Sequence, residues 1–302
     1  MKQKYLISIV GPTAIGKTAL SIAFAKHFNT EIISADSRQF YKEMSVGTAA
    51  PTKDELNAAA HHFIHHKSVM EEYNVGDFEK DALSMIDKLF IDHDTIVMVG
   101  GSGLYVDTVT KGLDEFPQVD PSIRETLNNE LTTKGLEHLQ NQLKILDPIA
   151  FDTIAIDNPH RVTRALEICI GSGKPYSTFL NKDKPERPFK TITIGLTAER
   201  ATIYERINKR VDYMMADGLL DEAKKLQDLQ HLNALKTVGY SELFKFLNGE
   251  WTLDFAVSEI KKNSRRYAKR QLTWFRKKEG VLWFDNETPI AEIIDRIHLE
   301  LV

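Results

Sequence analysis

The feature that most constrains this 302-residue chain is the segment GPTAIGKT at residues 11–18. A short apolar run precedes it and a stretch of helical character follows it, which predicts a strand, a loop and a helix. Glycines let such a loop curl so that its N–H groups meet phosphate oxygens at the positive end of the helix. Lys17 adds a positive charge, and the Thr18 hydroxyl can bind Mg²⁺. The predicted loop residues are Gly11, Pro12, Thr13, Ala14, Ile15, Gly16, Lys17 and Thr18.

The remaining apolar pattern predicts an α/β fold with a P-loop NTPase-like parallel-sheet core. Short apolar strands alternate with helical stretches, which is typical of a parallel sheet. The predicted strands are 5–10, 31–35, 95–99, 191–196 and 281–284. Residues 112–188 lack a strand pattern, whereas Asp120-Pro121 and Asn158-Pro159 are helix starts. We therefore predict a core of 1–111 and 189–302 with a helical insertion domain at 112–188.

Composition excludes several classes of protein. The single cysteine, Cys169, excludes a disulfide framework or a cysteine-based zinc site within one chain, and we expect it in the core. No run of 18 apolar residues and no signal-peptide pattern is present. We expect a cytoplasmic protein without a membrane segment. The net charge of -4 argues against nucleic-acid binding only if charge is evenly distributed, which it is not.

Two further segments place polar side chains at strand ends, where ligands of open α/β sheets bind. Asp36 follows the second predicted strand, where it could act as a general base or cap the N-terminus of a helix. Ser102 follows the third, as a phosphate ligand or as part of a plain turn. That strand ends in glycine rather than in the acid that ATP hydrolysis requires, and the N-K-x-D motif of GTPases is absent. A loop that holds only a diphosphate leaving group needs neither.

The segments in order resemble the tRNA dimethylallyltransferases, also called tRNA isopentenyltransferases, over essentially the whole chain. They are GPTAIGKT, SADSRQFYKEMSVGTAAP, VGDFEKDA, VGGSGLY, DNPHRVTRALEI, KTVGYSE and AKRQLTWFRK. The resemblance implies transfer of a dimethylallyl group from dimethylallyl diphosphate to N6 of the adenosine 3′ of the anticodon, in tRNAs reading codons that begin with U. It implies Asp36 as general base, Arg210 and Ser102 at the diphosphate, Mg²⁺ at Thr18, and a helical insertion. We expect a monomer.

The resemblance also implies where the tRNA anticodon stem-loop binds. Lys261 to Lys278 contains nine basic residues and no acid, with interleaved aromatic residues that suit RNA or an apolar packing face. The predicted tRNA-binding residues are Asp36, Ser37, Arg38, Gln39, Ser102, His160, Arg161, Val162, Thr163, Arg164, Lys236, Arg266, Lys269 and Arg270. Arg38 and Ala50 depart from the family pattern. An apolar residue or alanine is usual at the position of Arg38, and a lysine is usual at the position of Ala50. Ser102 replaces a more usual threonine and keeps the hydroxyl.

Other interpretations remain open. His61, His62, His65 and His66 form two pairs at helical spacing that could bind zinc, although the resemblance favours a structural or substrate-proximal role. A small-molecule or nucleoside kinase would share the loop and an aspartate base but would consume ATP. A nucleotide-gated RNA-binding switch would make no product. The basic helix and the insertion argue against the kinase, and Asp36 argues against the switch.

Overall fold

The computed structural model describes residues 2–180 and 186–301 and divides them into two compact units. The first unit contains residues up to Lys111 and from Arg187 onward, and the second spans Gly112–Glu186. Arg187 belongs to the first unit because its guanidinium pairs with Glu79 and donates to the Thr108 carbonyl at 2.7 Å. The second unit therefore ends two residues before the predicted boundary at 188. Residues 181–185 of the predicted insertion lie outside the described residues.

The first unit is built on one parallel sheet of six strands. The strands are β1 (Tyr5–Val10), β2 (Ile32–Ser34), β3 (His61–His62), β4 (Thr95–Val99), β5 (Lys190–Thr197) and β6 (Val281–Asp285). They lie in the order β3-β2-β4-β1-β5-β6, and every neighbouring pair is parallel. All six residues of β1 are buried because helices cover both faces of a parallel sheet. Alternate β1 residues accordingly belong to two separate hydrophobic clusters, Leu6 and Val10 to one, Ile7 and Ile9 to the other.

Helices cover the sheet of the first unit and connect its strands. They are α1 (Lys17–His27), α2 (Lys53–Ala58), α3 (Val75–Asp92), α4 (Gly103–Lys111), α9 (Arg200–Ala216), α10 (Leu219–Lys225), α11 (Tyr240–Leu247), α12 (Leu253–Arg276) and α13 (Ile290–His298). Strand β3 differs from the sequence prediction, which has no strand at His61–His62. The helical spacing assigned to the histidines is wrong, since His61 and His62 lie in β3 and His65 has a φ of 50°. Among the described residues, no group of three or more histidine, cysteine, aspartate or glutamate side chains is arranged so that it could hold a metal ion.

The second unit is helical and has its own core. Its helices are α5 (Pro121–Lys134), α6 (Leu136–Leu146), α7 (Pro148–Thr153) and α8 (Pro159–Ser172). Asp120 and Asn158 cap α5 and α8, as their position before proline predicts. Gly135, whose φ is 82°, separates α5 from α6. Leu139, Leu143 and Val162 are fully buried, and Cys169 packs with them in the core.

No helix in the described part of the chain combines the length and the apolar character needed to cross a membrane.

Candidate active site

The phosphate-binding loop connects β1 to α1 as the sequence predicts. Its geometry depends on Gly16, which precedes α1 with a φ of 109°, a conformation that disfavours side chains. Ala14 also has a positive φ, of 63°, so the loop is tightly curled. Buried Ile15 anchors the loop to the core, and Lys17 turns back so that its ammonium donates to the Pro12 carbonyl at 2.8 Å. The loop residues from Thr13 to Thr18, with Lys17 among them, line one cavity.

This cavity, the loop cavity, has a volume of about 470 Å³. It is lined by Thr13 to Thr18 of the loop, by Asp36 and Gln39 after β2, and by basic residues of α9. These basic residues are Arg206, Lys209 and Arg210. His61 also lines it, and its Nδ1 lies 2.8 Å from the Ala59 carbonyl oxygen. The concentration of cations and N–H groups suits an anion that carries several charges.

A second cavity of about 450 Å³, the adjoining cavity, shares four lining residues with the loop cavity. They are Thr13, Asp36, Arg210 and Tyr267. The adjoining cavity is more apolar along α9, where Ile207, Val211 and Met214 line it. Lys236 and Arg270 line it too, and both side chains are exposed. Asp36 and Arg210 thus stand where a polyanion site meets a site able to hold a partly apolar ligand.

Asp36 is held by its own chain and lies near two half-buried cations, Lys17 and Arg210. Its Oδ1 accepts the Arg38 N–H at 3.0 Å. Burial lowers the pKa of Lys17 to about 8, against an opposing effect of the Asp36 charge. Burial likewise lowers the pKa of Arg210, and Asp36 again opposes the shift. The Arg210 guanidinium also donates to the Thr48 carbonyl at 3.2 Å. The carboxylate is therefore fixed beside two cations that a bound anion would help to stabilise.

Other predicted residues come together around Asp36. The Ser102 hydroxyl accepts the Ser37 N–H at 3.3 Å and lies 3.2 Å from the Ser37 hydroxyl. The Gln39 amide donates to the Ala49 carbonyl at 3.2 Å and lies near Ser34. Arg38, a departure from the family pattern, donates to the carbonyls of Asn233 and Ala234 at 3.2 and 3.1 Å. Part of the predicted tRNA-binding stretch thus has structural partners within the first unit.

The basic residues of α12 divide into two groups. Lys261 pairs with Asp212 at 2.6 Å, and Arg265 donates to Asn208 at 2.7 Å. Arg266, Lys269 and Arg270 are exposed, as an RNA-binding face requires. Phe275 is fully buried and belongs to the apolar face, so it cannot stack on a base. One face of this helix is therefore an apolar packing face, and RNA binding by the exposed basic face stays a prediction.

In the second unit, only part of the segment from His160 to Arg164 is exposed and so available for the predicted contact with tRNA. His160 and Arg161 are exposed at the start of α8. Val162 and Thr163 are 0% and 4% exposed, so their side chains face the interior and do not support the predicted contact with tRNA. Arg164 pairs with the buried carboxylate of Glu167 at 2.9 Å, and Arg124 pairs with the same carboxylate. The exposed pair His160 and Arg161 is the better candidate for binding.

Known proteins with similar sequences support one family. The sequence profile of IPP transferases matches residues 39–278. The chain belongs to the IPP transferase family. It is 59% identical over 297 residues to a tRNA dimethylallyltransferase of Christiangramia forsetii, which covers 98% of each chain. A tRNA dimethylallyltransferase of Flavobacterium johnsoniae is 56% identical over 300 residues, 97% of each chain. This IPP transferase family member is therefore an enzyme of the transferase class.

Solved structures agree with the IPP transferase fold. A tRNA isopentenylpyrophosphate transferase of Bacillus halodurans is 40% identical, with a TM-score of 0.74 over 99% of this chain and 97% of that one. A eukaryotic dimethylallyltransferase acting on tRNA is 26% identical, with a TM-score of 0.82 over 98% of this chain and 79% of that one. The predicted α/β fold with a P-loop-like parallel-sheet core is thereby confirmed.

Two residues of this IPP transferase had no assigned role in the sequence prediction. Tyr267 appeared only as one aromatic residue of α12, yet it lines both cavities. Burial raises its pKa to about 12, and the Asp36 charge adds to the shift, so its hydroxyl stays protonated at neutral pH. Gln271 is 6% exposed on the same helix. Its position among the buried residues Ala268 and Phe275 was the available signal, since an uncharged polar side chain on a buried face needs partners.

Proposed function

We propose that this enzyme transfers a dimethylallyl group from dimethylallyl diphosphate to N6 of the adenosine 3′ of the anticodon, in tRNAs that read codons beginning with U, and releases diphosphate. The observation that carries the proposal is the shared wall of the two cavities, formed by Thr13, Asp36, Arg210 and Tyr267. A diphosphate in the loop cavity and an adenine in the adjoining cavity would both reach Asp36. The relatives are called tRNA dimethylallyltransferases, which agrees with tRNA as the acceptor and a dimethylallyl group as the group transferred.

The loop cavity supplies the groups that a diphosphate requires. Residues Thr13 to Thr18 of the loop, which include Lys17, line it together with Arg210, and a loop before a helix N-terminus is the arrangement that binds phosphate. Thr18 lines the cavity on the first turn of α1 and offers a hydroxyl oxygen, the kind of ligand that Mg²⁺ takes together with phosphate oxygens. The donor set fits Mg²⁺ held by Thr18 and the substrate. When bound, the ion would neutralise charge on the leaving diphosphate.

The proposed reaction is a displacement at carbon 1 of the allyl group. The N6–C1 bond forms as the C1–O bond breaks, and the electrons of that bond leave with the diphosphate. The proton of N6 passes to the Asp36 carboxylate, whose orientation is fixed by the Arg38 N–H. Lys17, Arg210 and the loop N–H groups stabilise the charge that develops on the bridging oxygen. Ser102 is assigned to the same site through its contacts with Ser37 and Tyr267.

The adenine must leave the anticodon loop to reach Asp36, as bases do in other base-modifying enzymes. We assign Ser37 and Arg38, which line the adjoining cavity, to its recognition, whereas Gln39, the next residue in the chain, lines the loop cavity. Lys236 and Arg270 lie at the adjoining cavity and would contact the neighbouring backbone. The remaining proposed tRNA contacts are Arg266 and Lys269 on α12 and His160, Arg161 and Arg164 in the second unit.

The test is a transfer assay with purified protein, Mg²⁺, labelled dimethylallyl diphosphate and unmodified tRNA that reads codons beginning with U. Label is expected in the RNA, at the adenosine 3′ of the anticodon, and it should be absent when that adenosine is replaced by guanosine. Failure to label RNA, with ATP consumed in the presence of a nucleoside or a small hydroxyl compound, would instead establish the kinase alternative. Binding of RNA and ATP without a product would establish the switch.

Lys17 predicts how diphosphate affinity depends on pH. A lysine whose pKa is lowered to about 8 carries its charge below that pH and loses it above. The affinity of the free enzyme for dimethylallyl diphosphate should therefore be constant below pH 8 and decline above it, by up to about tenfold per pH unit. Isothermal titration between pH 7 and 9.5 measures this. Lys17→Arg, which stays charged, should remove the decline, and a flat wild-type profile would contradict the assignment.

The exposed basic face of α12 predicts a salt effect on tRNA binding. Arg266→Gln with Lys269→Gln should raise the tRNA KM and reduce the slope of log affinity against log salt by about 1.4, about 0.7 for each lost phosphate contact. Lys262→Gln is the control, because its ammonium is already paired with Glu259 at 2.7 Å. An unchanged slope in the double variant, measured by filter binding at several salt concentrations, would remove this face from the RNA-binding surface.

A further inference from the structure

Gln271 joins three parts of the first unit. It lies on α12 and is 6% exposed, and both atoms of its amide have partners. The Oε1 atom accepts the Thr13 N–H of the phosphate-binding loop at 2.9 Å. The Nε2 atom donates to the Gly101 carbonyl, in the turn after β4, at 2.9 Å. One side chain thus bonds α12 to the loop and to the neighbouring turn at the end of the sheet.

Gly101 shows how closely this amide is fitted. A Cβ atom at Gly101 would lie 2.2 Å from Gln271 Nε2, far inside van der Waals contact. The glycine therefore leaves room for the amide. The Thr13 N–H, one of the loop donors, is directed at Gln271. The conformation of the phosphate-binding loop therefore depends on the position of α12, through the hydrogen bond between Thr13 and Gln271.

The neighbours of Gln271 on α12 connect this contact to the proposed RNA face. Arg270 precedes it directly and lines the adjoining cavity, and Tyr267 one turn earlier lines both cavities. Since α12 is one continuous helix, the contact that fixes Gln271 also fixes Tyr267 and Arg270 relative to the loop.

We propose that Gln271 is a positioning residue for the diphosphate: it holds the phosphate-binding loop in its binding conformation and ties that conformation to the helix that carries the RNA-binding face. The inference rests on the proposed function of the loop as a diphosphate site. Gln271 lines the loop cavity, but both polar atoms of its amide are engaged by Thr13 and Gly101, so its removal acts on the loop, through Thr13, and not on the chemistry of Asp36.

The first test is Gln271→Met, which keeps the volume but loses both hydrogen bonds. The KM for dimethylallyl diphosphate should rise about tenfold, the change expected for two lost hydrogen bonds, with kcat at saturation within about twofold of wild type. Thr273→Val is the control, because Thr273 is exposed on the same helix and its hydroxyl donates to the Lys269 carbonyl within that helix. A loss of thermal stability with an unchanged KM would mean that Gln271 is merely structural and would overturn the proposal.

A second variant approaches the same contact from the opposite side. Gly101→Ala should displace the Gln271 amide and raise the KM for dimethylallyl diphosphate by a similar factor, whereas in a Gln271→Ala background the same change should add nothing. Additive effects would overturn the proposal. The comparison of Gly101→Ala in the two backgrounds still tests the proposal if Gln271→Met fails to fold.

Magnesium diphosphate itself separates the inference from the proposed function. If the wild-type protein binds it but transfers no dimethylallyl group, the proposed function fails while the role of Gln271 can still be measured. Calorimetry should then show about tenfold weaker binding of magnesium diphosphate by Gln271→Met. Equal binding by the two proteins would overturn the positioning role.

Discussion

Replacement of Asp36 by asparagine is expected to lower kcat for dimethylallyl transfer by about 10²–10⁴-fold, the usual contribution of a positioned general base. Asparagine keeps the volume of the side chain and an oxygen that can accept the Arg38 N–H, but it cannot take the proton of N6. Single-turnover transfer of label to tRNA measures the loss.

The KM for dimethylallyl diphosphate should not rise in the Asp36→Asn variant, because the substitution removes a negative charge that lies near Lys17 and Arg210. Glu55→Gln is a matched control. Glu55 lines the loop cavity but not the adjoining cavity. Its carboxylate accepts the Thr52 N–H at 2.8 Å, a bond that glutamine retains. Transfer at near wild-type rate by Asp36→Asn, or an equal loss in Glu55→Gln, would refute Asp36 as the base.

Replacement of Glu222 by alanine is expected to lower the free energy of unfolding by about 3–5 kcal/mol. The Glu222 carboxylate accepts the N–H groups of Ser45, Val46 and Gly47 at 2.9, 2.9 and 2.8 Å. It also accepts the Tyr240 hydroxyl at 2.5 Å, and burial raises the pKa of that phenol, so the donor stays protonated. Alanine would leave four donors without their acceptor.

Urea unfolding measures the effect of Glu222→Ala, and Asp221→Ala is the control, since the Asp221 side chain is 74% exposed and forms a surface pair with Lys224. The control should stay within about 0.5 kcal/mol of wild type. Because Glu222 holds the segment before Thr48, whose carbonyl binds Arg210, the variant should also lower transfer activity. A loss of stability below about 1 kcal/mol would contradict this account of the loop.

Local signals predicted most of the fold because each depends on neighbouring residues. The strand from Thr95 to Val99 was predicted with its observed bounds, and the helix caps at Asp120 and Asn158 were identified from the following prolines. The second strand is one residue shorter at each end than predicted. The histidine segment was misjudged because β3 is only two residues long and forms by pairing with β2, and a periodicity pattern does not detect so short a strand.

The sequence by itself determined the phosphate-binding loop, the parallel-sheet core and the position of Asp36 at a strand end, since a motif of eight residues and short apolar runs are local information. Only the tertiary structure decided which side chains share the site. Gln271 bonds to the loop from 258 positions away and Tyr267 of the same helix lines the loop cavity, while Val162 and Thr163 turn inward although Arg161, directly before them, is exposed. The physical reason is that long-range packing sets the face of a helix that is buried, and this face determines which polar groups meet.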